Sequence, residues 1–173
     1  RGAIGVISGN KIVGYEGIAN LYEEAIKIPF IVHLPEEERS RLVSEVPVSN
    51  IDVFPTILSY LGFDVPSNLE IEGRDIFELI ENEAESMHRS IYAQYSMRNF
   101  GNSDLRMVIK DQIKLVKRFN LKAKDHLVDE LYDLKSDPEE KNNLIKNNDY
   151  EQKKSDLENQ LLNWMKRIDD KVR

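Results

Sequence analysis

The 173-residue chain contains no cysteine, which excludes disulfides and thiolate metal sites but assigns the protein to no compartment. No apolar run approaches the roughly 20 residues that a membrane-spanning helix needs, so no membrane partner is expected. Basic residues are outnumbered: 24 Lys and Arg face 31 Asp and Glu, and the formal charge of −7 argues against a nucleic-acid surface. The opening residues lack a basic start followed by an apolar core, so no secretion signal is read there. Histidine is scarce as well. His33, His88 and His126 are too far apart for ligand spacing and are read as three unrelated surface or core residues.

What is present predicts a mixed α/β chain of one or two domains, able to bury roughly 70% of its unfolded surface. Residues 3–7 and 29–34 are short apolar runs without alternation, the pattern of strands buried on both faces of a parallel sheet. Between them Asn20 is a candidate helix cap, with Glu23 three positions on to complete a box. Asp52 is the candidate cap of the next helix, which places Pro55 in its first turn. Phe54, Ile57, Leu58 and Leu61 then form one apolar stripe, ended by Gly62. Residues 1–65 thus read strand, helix, strand, helix.

Pro66 opens a loop, residues 75–80 read as a short helix, and 81–89 as a polar linker. Strand-like runs follow at 90–95, 105–110, 112–119 and 130–134. Asp111 marks a tight hairpin whose turn has no Gly to favour the primed types. Leu157, Leu161, Trp164 and Ile168 recur at helical spacing, so a final helix of about five turns packs on a small antiparallel sheet. Trp164 lies on that stripe and is read as core.

Three ordered segments carry a resemblance. Residues 131–144, LYDLKSDPEEKNNL, are similar to the LYDL-x-x-DP-x-E-x-x-NL signature near the C-terminus of type I sulfatases, of the alkaline-phosphatase superfamily. Residues 21–32, LYEEAIKIPFIV, resemble that family's LYEEAIRVPLII, and residues 49–58, SNIDVFPTIL, its S-x-x-D-x-x-PT-x-L. The resemblance implies hydrolysis of sulfate esters with a calcium ion and a formylglycine nucleophile. That chemistry needs a strong nucleophile, a divalent cation and cationic groups over the sulfate oxygens.

Much of that equipment is missing from these residues. The C/S-x-P-x-R motif that supplies formylglycine does not occur; Ser136-Asp137-Pro138 comes nearest, but Glu140 stands where Arg is required. The run 6–11 resembles the family's S-D-H/N-G segment, where Asn10 matches a calcium ligand, Gly9 replaces the Asp and Lys11 the Gly. Calcium is held largely by carboxylate charge, so only Asn10 remains as a metal candidate. Ile18 stands near the family's sulfate-contacting Lys. No catalytic residue is assigned, and no cofactor is expected for the chain alone.

Other charged clusters are weighed the same way. Asp133, Asp137, Glu139 and Glu140 could build a metal site, but Asp-Pro turn chemistry favours acids that cap a turn or face water. Glu23 and Glu24, about 100° apart on a helix, read as one salt-bridged and one capping residue. Lys114, Lys117, Arg118, Lys122 and Lys124 could contact sulfate or carbohydrate, but a solvated strand face is favoured.

The expected architecture is the back part of an alkaline-phosphatase-like mixed sheet with helices, then a small antiparallel sheet packed by a C-terminal helix. Residues 1–85 are read as a remnant of the main domain and 86–173 as a C-terminal α+β subdomain. Two doubly buried strands cannot stand alone, so the expected partner is the missing N-terminal half of the fold, or another copy. Arg1 as first residue fits an excised piece or a processed end. The rival functions are a non-catalytic homologue serving as a binding or scaffolding module, and a related phosphoester hydrolase or transferase.

Overall fold

Strands β3 (Ile91–Met97), β4 (Ser103–Lys110), β5 (Ile113–Phe119) and β6 (Glu130–Asp133) lie side by side in chain order. This computed structural model describes residues 4–8, 11–16, 20–34, 42–66, 68–97, 103–119 and 128–172. They form two units, Arg1–Pro29 with Tyr92–Arg173, and Phe30–Ile91.

In the first unit the hairpin between β4 and β5 turns through Asp111 and Gln112, with φ of 49° and 63°. Both central residues are left-handed, which is the type I′ geometry that matches strand twist. The antiparallel register sets Leu105, Met107 and Ile109 opposite Arg118, Val116 and Lys114, so these six share one face. Leu21 packs there against Leu105, Met107 and Val116. The other face, with Val108, Ile113, Leu115 and Leu131, is covered by Leu157, Leu161, Trp164 and Met165 of the long terminal helix. Trp164 stacks on Tyr92 with ring centroids 4.9 Å apart. Both faces of this sheet are therefore occupied.

Several local expectations are corrected. Residues 29–34 form no strand, and Phe30, Ile31 and Val32 are exposed. Strand β1 (Ile4–Ser8) pairs antiparallel with β2 (Lys11–Glu16), not with a parallel neighbour. A hairpin closes over two residues, whereas a parallel pair needs a crossover of a dozen or more. Helix α1 (Glu23–Ile26) starts after Tyr22; Asn20 accepts from the Tyr22 N–H at 3.4 Å and does not cap it.

In the second unit α2 (Val53–Tyr60) contains Pro55 in its first turn. It ends at Gly62, whose φ of 72° lets the Phe63 N–H reach back to the Leu58 carbonyl. Its stripe is not core: Phe54, Ile57 and Leu61 are each more than half exposed. Helix α3 (Ile76–Glu81) is capped by Asp75, which accepts from the Phe77 N–H. The supposed linker holds a further short helix, α4 (Glu83–Ser86), where Glu and Ala favour a turn of helix. The terminal helix, α5 (Glu151–Arg167), is present as read.

Candidate functional site

The resembling segments meet in two buried ionic networks, one in each unit. In the first, Lys114 of β5 is fully buried. Its Nζ lies 3.1 Å from Glu23 Oε1 at the start of α1. It also lies 2.8 Å from Glu140 Oε1, near enough for a charge contact but off the hydrogen-bond direction. Glu140 Oε2 accepts from the Glu23 N–H at 2.7 Å, so its carboxylate satisfies an orphan donor at the N-terminus of α1.

The Asp-Pro turn aims Glu140 inward. Asp137 accepts from the Lys141 and Asn142 N–H groups, and Glu140 takes φ of 52°. A left-handed non-glycine costs about 1–3 kcal/mol and persists only where its surroundings over-determine it. Tyr22 and Tyr132 close the network with ring centroids 6.3 Å apart. Burial, then the neighbouring Glu130 and Tyr22, push the Tyr132 hydroxyl well above its ordinary pKa, so it stays protonated and cannot serve as a base.

In the second network Asp52 is fully buried and accepts four hydrogen bonds. Arg89 grips it with both terminal nitrogens at 2.6 Å. The Ser49 and Arg74 N–H groups donate at 2.7 and 2.9 Å. Burial alone would raise its pKa, but Arg89 and the two backbone donors outweigh it and hold Asp52 below the usual 3.8. Thr56 donates to the Asp52 carbonyl at 2.6 Å and accepts from the Ile76 N–H at 2.9 Å, tying α2 to α3. At Gly73 a Cβ would collide with the Ile51 carbonyl oxygen, so only glycine permits the approach. Asp52 and Thr56 of the 49–56 segment thus have scaffold roles.

Asn10, the metal candidate, lies outside the described residues, as do Gly9, Ile18, His126, Lys122 and Lys124. Among the described residues no cluster of three or more His, Asp or Glu could hold an ion. The solvated reading of the basic run is corrected: Lys114 and Arg118 are buried on the α1 side of the sheet, with Arg118 paired to Glu130. Lys117 pairs with Glu158 of α5 at 2.8 Å and with Asp129 at 3.2 Å. The acids of 131–144 split in role, Asp133 and Asp137 organising turns and Glu140 entering the core. Glu23 is the salt-bridged member of its pair. A shallow depression of about 520 Å³ in the second unit is lined by Arg74 but also by Asp64, Asp75 and Glu78, an excess of negative charge that disfavours an anionic ligand.

Sequence reasoning missed Arg89 and Thr56, and placed Lys114 on a solvated face where it is buried. The only signal for Lys114 was its place two residues before Val116 on a strand face that needed apolar neighbours.

The family model described as N-sulphoglucosamine sulphohydrolase, C-terminal, matches residues 15–167. The sulfatase YidJ of Escherichia coli (strain K12) is 31% identical over 156 residues, covering 90% of this chain and 29% of that protein. An N-acetylglucosamine-6-O-sulfatase of Bacteroides thetaiotaomicron is 29% identical over 142 residues, 79% of this chain and 24% of its own length. A sulfatase solved in complex with its substrate D-glucosamine-2-N,6-O-disulfate superposes with a TM-score of 0.55 at 27% identity, over 69% of this chain and 24% of that one. The chain therefore spans between about a quarter and three tenths of the length of these relatives.

Proposed function

The chain belongs to the N-sulphoglucosamine sulphohydrolase C-terminal family, and from that premise we propose that it serves a sulfatase-like sulfuric ester hydrolase as scaffold, without ester-cleaving groups of its own. One observation carries this reading: the family match runs from residue 15 to 167, yet the sequence contains neither cysteine nor a C/S-x-P-x-R motif from which a nucleophile could be made. Three acids of the resembling segments support it, because Glu23 and Glu140 share the Lys114 ammonium and Asp52 is paired with Arg89. Calcium, the nucleophile and the sulfate-binding cations would come from the amino-terminal portion of the fold. Residues 1–85 would extend that main domain, and 86–173 form the C-terminal subdomain.

A non-catalytic homologue that binds without turnover is favoured by Gly9 and Ile18, which stand where the family's calcium-binding Asp and sulfate-contacting Lys are found. Both readings expect the purified chain, supplied with calcium and an aryl sulfate, to release no more product than buffer. Turnover above buffer, lost on denaturing the protein, would show that the reacting groups are present and overturn the scaffold reading. With an amino-terminal sulfatase portion added, the first reading expects turnover to appear, and continued silence favours the non-catalytic homologue.

A further inference from the structure

The segments carrying α1 and α5 cover opposite faces of one sheet, with very different hold. Helix α5 buries Leu157, Leu161, Trp164 and Met165 along 17 residues, whereas the four residues of α1 bury none. Four residues are too few for a helix to stand alone in water. What keeps the turn formed lies outside it. Leu21, 5% exposed, packs on Leu105, Met107 and Val116. Tyr22 meets Tyr132, and Glu140 accepts from the Glu23 N–H. Beyond Ile26, residues 27–33 are exposed and carry neither helix nor strand.

The ionic network beneath α1 has one thin wall. Lys114 is fully buried and the Glu140 side chain 3% exposed, but the Glu23 side chain is 21% exposed. Glu23 is also the member of the trio that α1 supplies; Lys114 belongs to β5 and Glu140 to the turn after β6. Lifting α1 therefore takes a carboxylate and the cover from the ammonium together. It touches none of the contacts between the sheet and α5. Segments with few buried apolar contacts open at a lower free energy than a core.

We propose that residues 20–26 form a strap that opens while the sheet and α5 stay folded, and that Lys114 beneath it is a modification site, closed to acyl donors until the strap lifts. In the open state the ammonium releases one proton to solvent and its nitrogen attacks the carbonyl carbon of an activated ester. The leaving group departs as the second proton is lost. The amide so formed carries no charge, so Glu23 and Glu140 lose their shared cation and the strap does not reseat. The network is then a switch thrown by one covalent event. The strap does not depend on the scaffold reading above.

The test adds limiting N-hydroxysuccinimide acetate to the full chain and follows acetylation of each lysine by peptide mass spectrometry, at urea concentrations below the unfolding transition. Lys117, 23% exposed, is the reference. Wild-type Lys114 is expected to react at least about tenfold more slowly than Lys117, at a rate nearly flat in urea, because a strap exposes little surface on opening. Leu21→Asp should speed Lys114 at least about tenfold. Glu23→Gln, which keeps the bulk of the side chain, should speed it at least about threefold. Leu162→Asp, half-exposed on α5, should leave it within about twofold. Trp164 fluorescence confirms that each variant keeps its core. After acetylation of Lys114, the Lys27 amide, which donates to the Glu23 carbonyl, should exchange hydrogen at least about tenfold faster. Labelling of Lys114 that rises with urea in step with Trp164 unfolding overturns the strap, as does a rate equal to that of Lys117 or one unmoved by both α1-side substitutions. Unchanged exchange at Lys27 after acetylation overturns the switch.

Discussion

Lys114→Ala lowers the stability of the sheet and α5 unit by about 3–5 kcal/mol, the penalty of breaking a buried ion pair from one side. The substitution leaves Glu23 and Glu140 facing each other across an empty site, and Glu140 is 3% exposed, so water does not easily replace the ammonium. Lys117 is the natural control. It pairs with Glu158 and Asp129, but its side chain is 23% exposed, and Lys117→Ala is expected to lower stability by no more than about 1 kcal/mol. The single tryptophan, Trp164, is packed in the same unit, so urea unfolding followed by its fluorescence reads both variants. Lys114→Ala combined with Glu140→Ala should be less harmful than the sum of the two, by more than about 1 kcal/mol, because each removes what the other needs. A Lys114→Ala midpoint matching that of wild type would mean the network contributes nothing.

Asp52→Ala removes four acceptor interactions and leaves the Arg89 guanidinium, 14% exposed, without its carboxylate. The expected loss is again about 3–5 kcal/mol, now in Phe30–Ile91. Hydrogen exchange reads it best, at the Arg74 N–H, which Asp52 accepts, and at the Ile76 N–H, which Thr56 accepts. The same residue gives a pH dependence. Its carboxyl is held below 3.8 in the folded chain, so the unfolded state binds the proton more readily. The stabilisation is fully present above about pH 4 to 5 and fades as the pH falls through the folded pKa. Protection of the Arg74 amide in the wild type should therefore collapse on acidification below 3.8. In Asp52→Ala it should already be low at neutral pH. Equal protection in the two proteins at neutral pH would remove Asp52 from the account.

The parts of this molecule readable from sequence are those set by neighbours along the chain. The helix over Leu157, Leu161 and Trp164, the strands about Asp111 and the stop at Gly62 all follow from short-range periodicity and turn chemistry. Residues 29–34 read as a strand because their composition is that of one, yet a strand exists only with a partner, and none among the described residues pairs with them. The α2 stripe was correctly periodic, but periodicity says which residues share a face and not whether anything covers it. The candidate site failed differently. Glu140 and Glu23 are 117 residues apart, and Lys114 and Glu23 are 91 apart, so no local pattern announces that these charges meet. A lysine in a strand reads as solvent-facing until the other side of the sheet is known to be filled.

Physically, the resembling segments then mark where the scaffold is pinned. Three of their acids meet cations already supplied by this chain, Glu23 and Glu140 sharing Lys114 in one unit and Asp52 gripped by Arg89 in the other, and among the described residues no cluster of three or more His, Asp or Glu could hold a metal. Isothermal titration of the full chain with calcium tests this most directly. The account predicts heats indistinguishable from dilution; a submicromolar site, abolished by Glu140→Gln or Asn10→Ala, would contradict it.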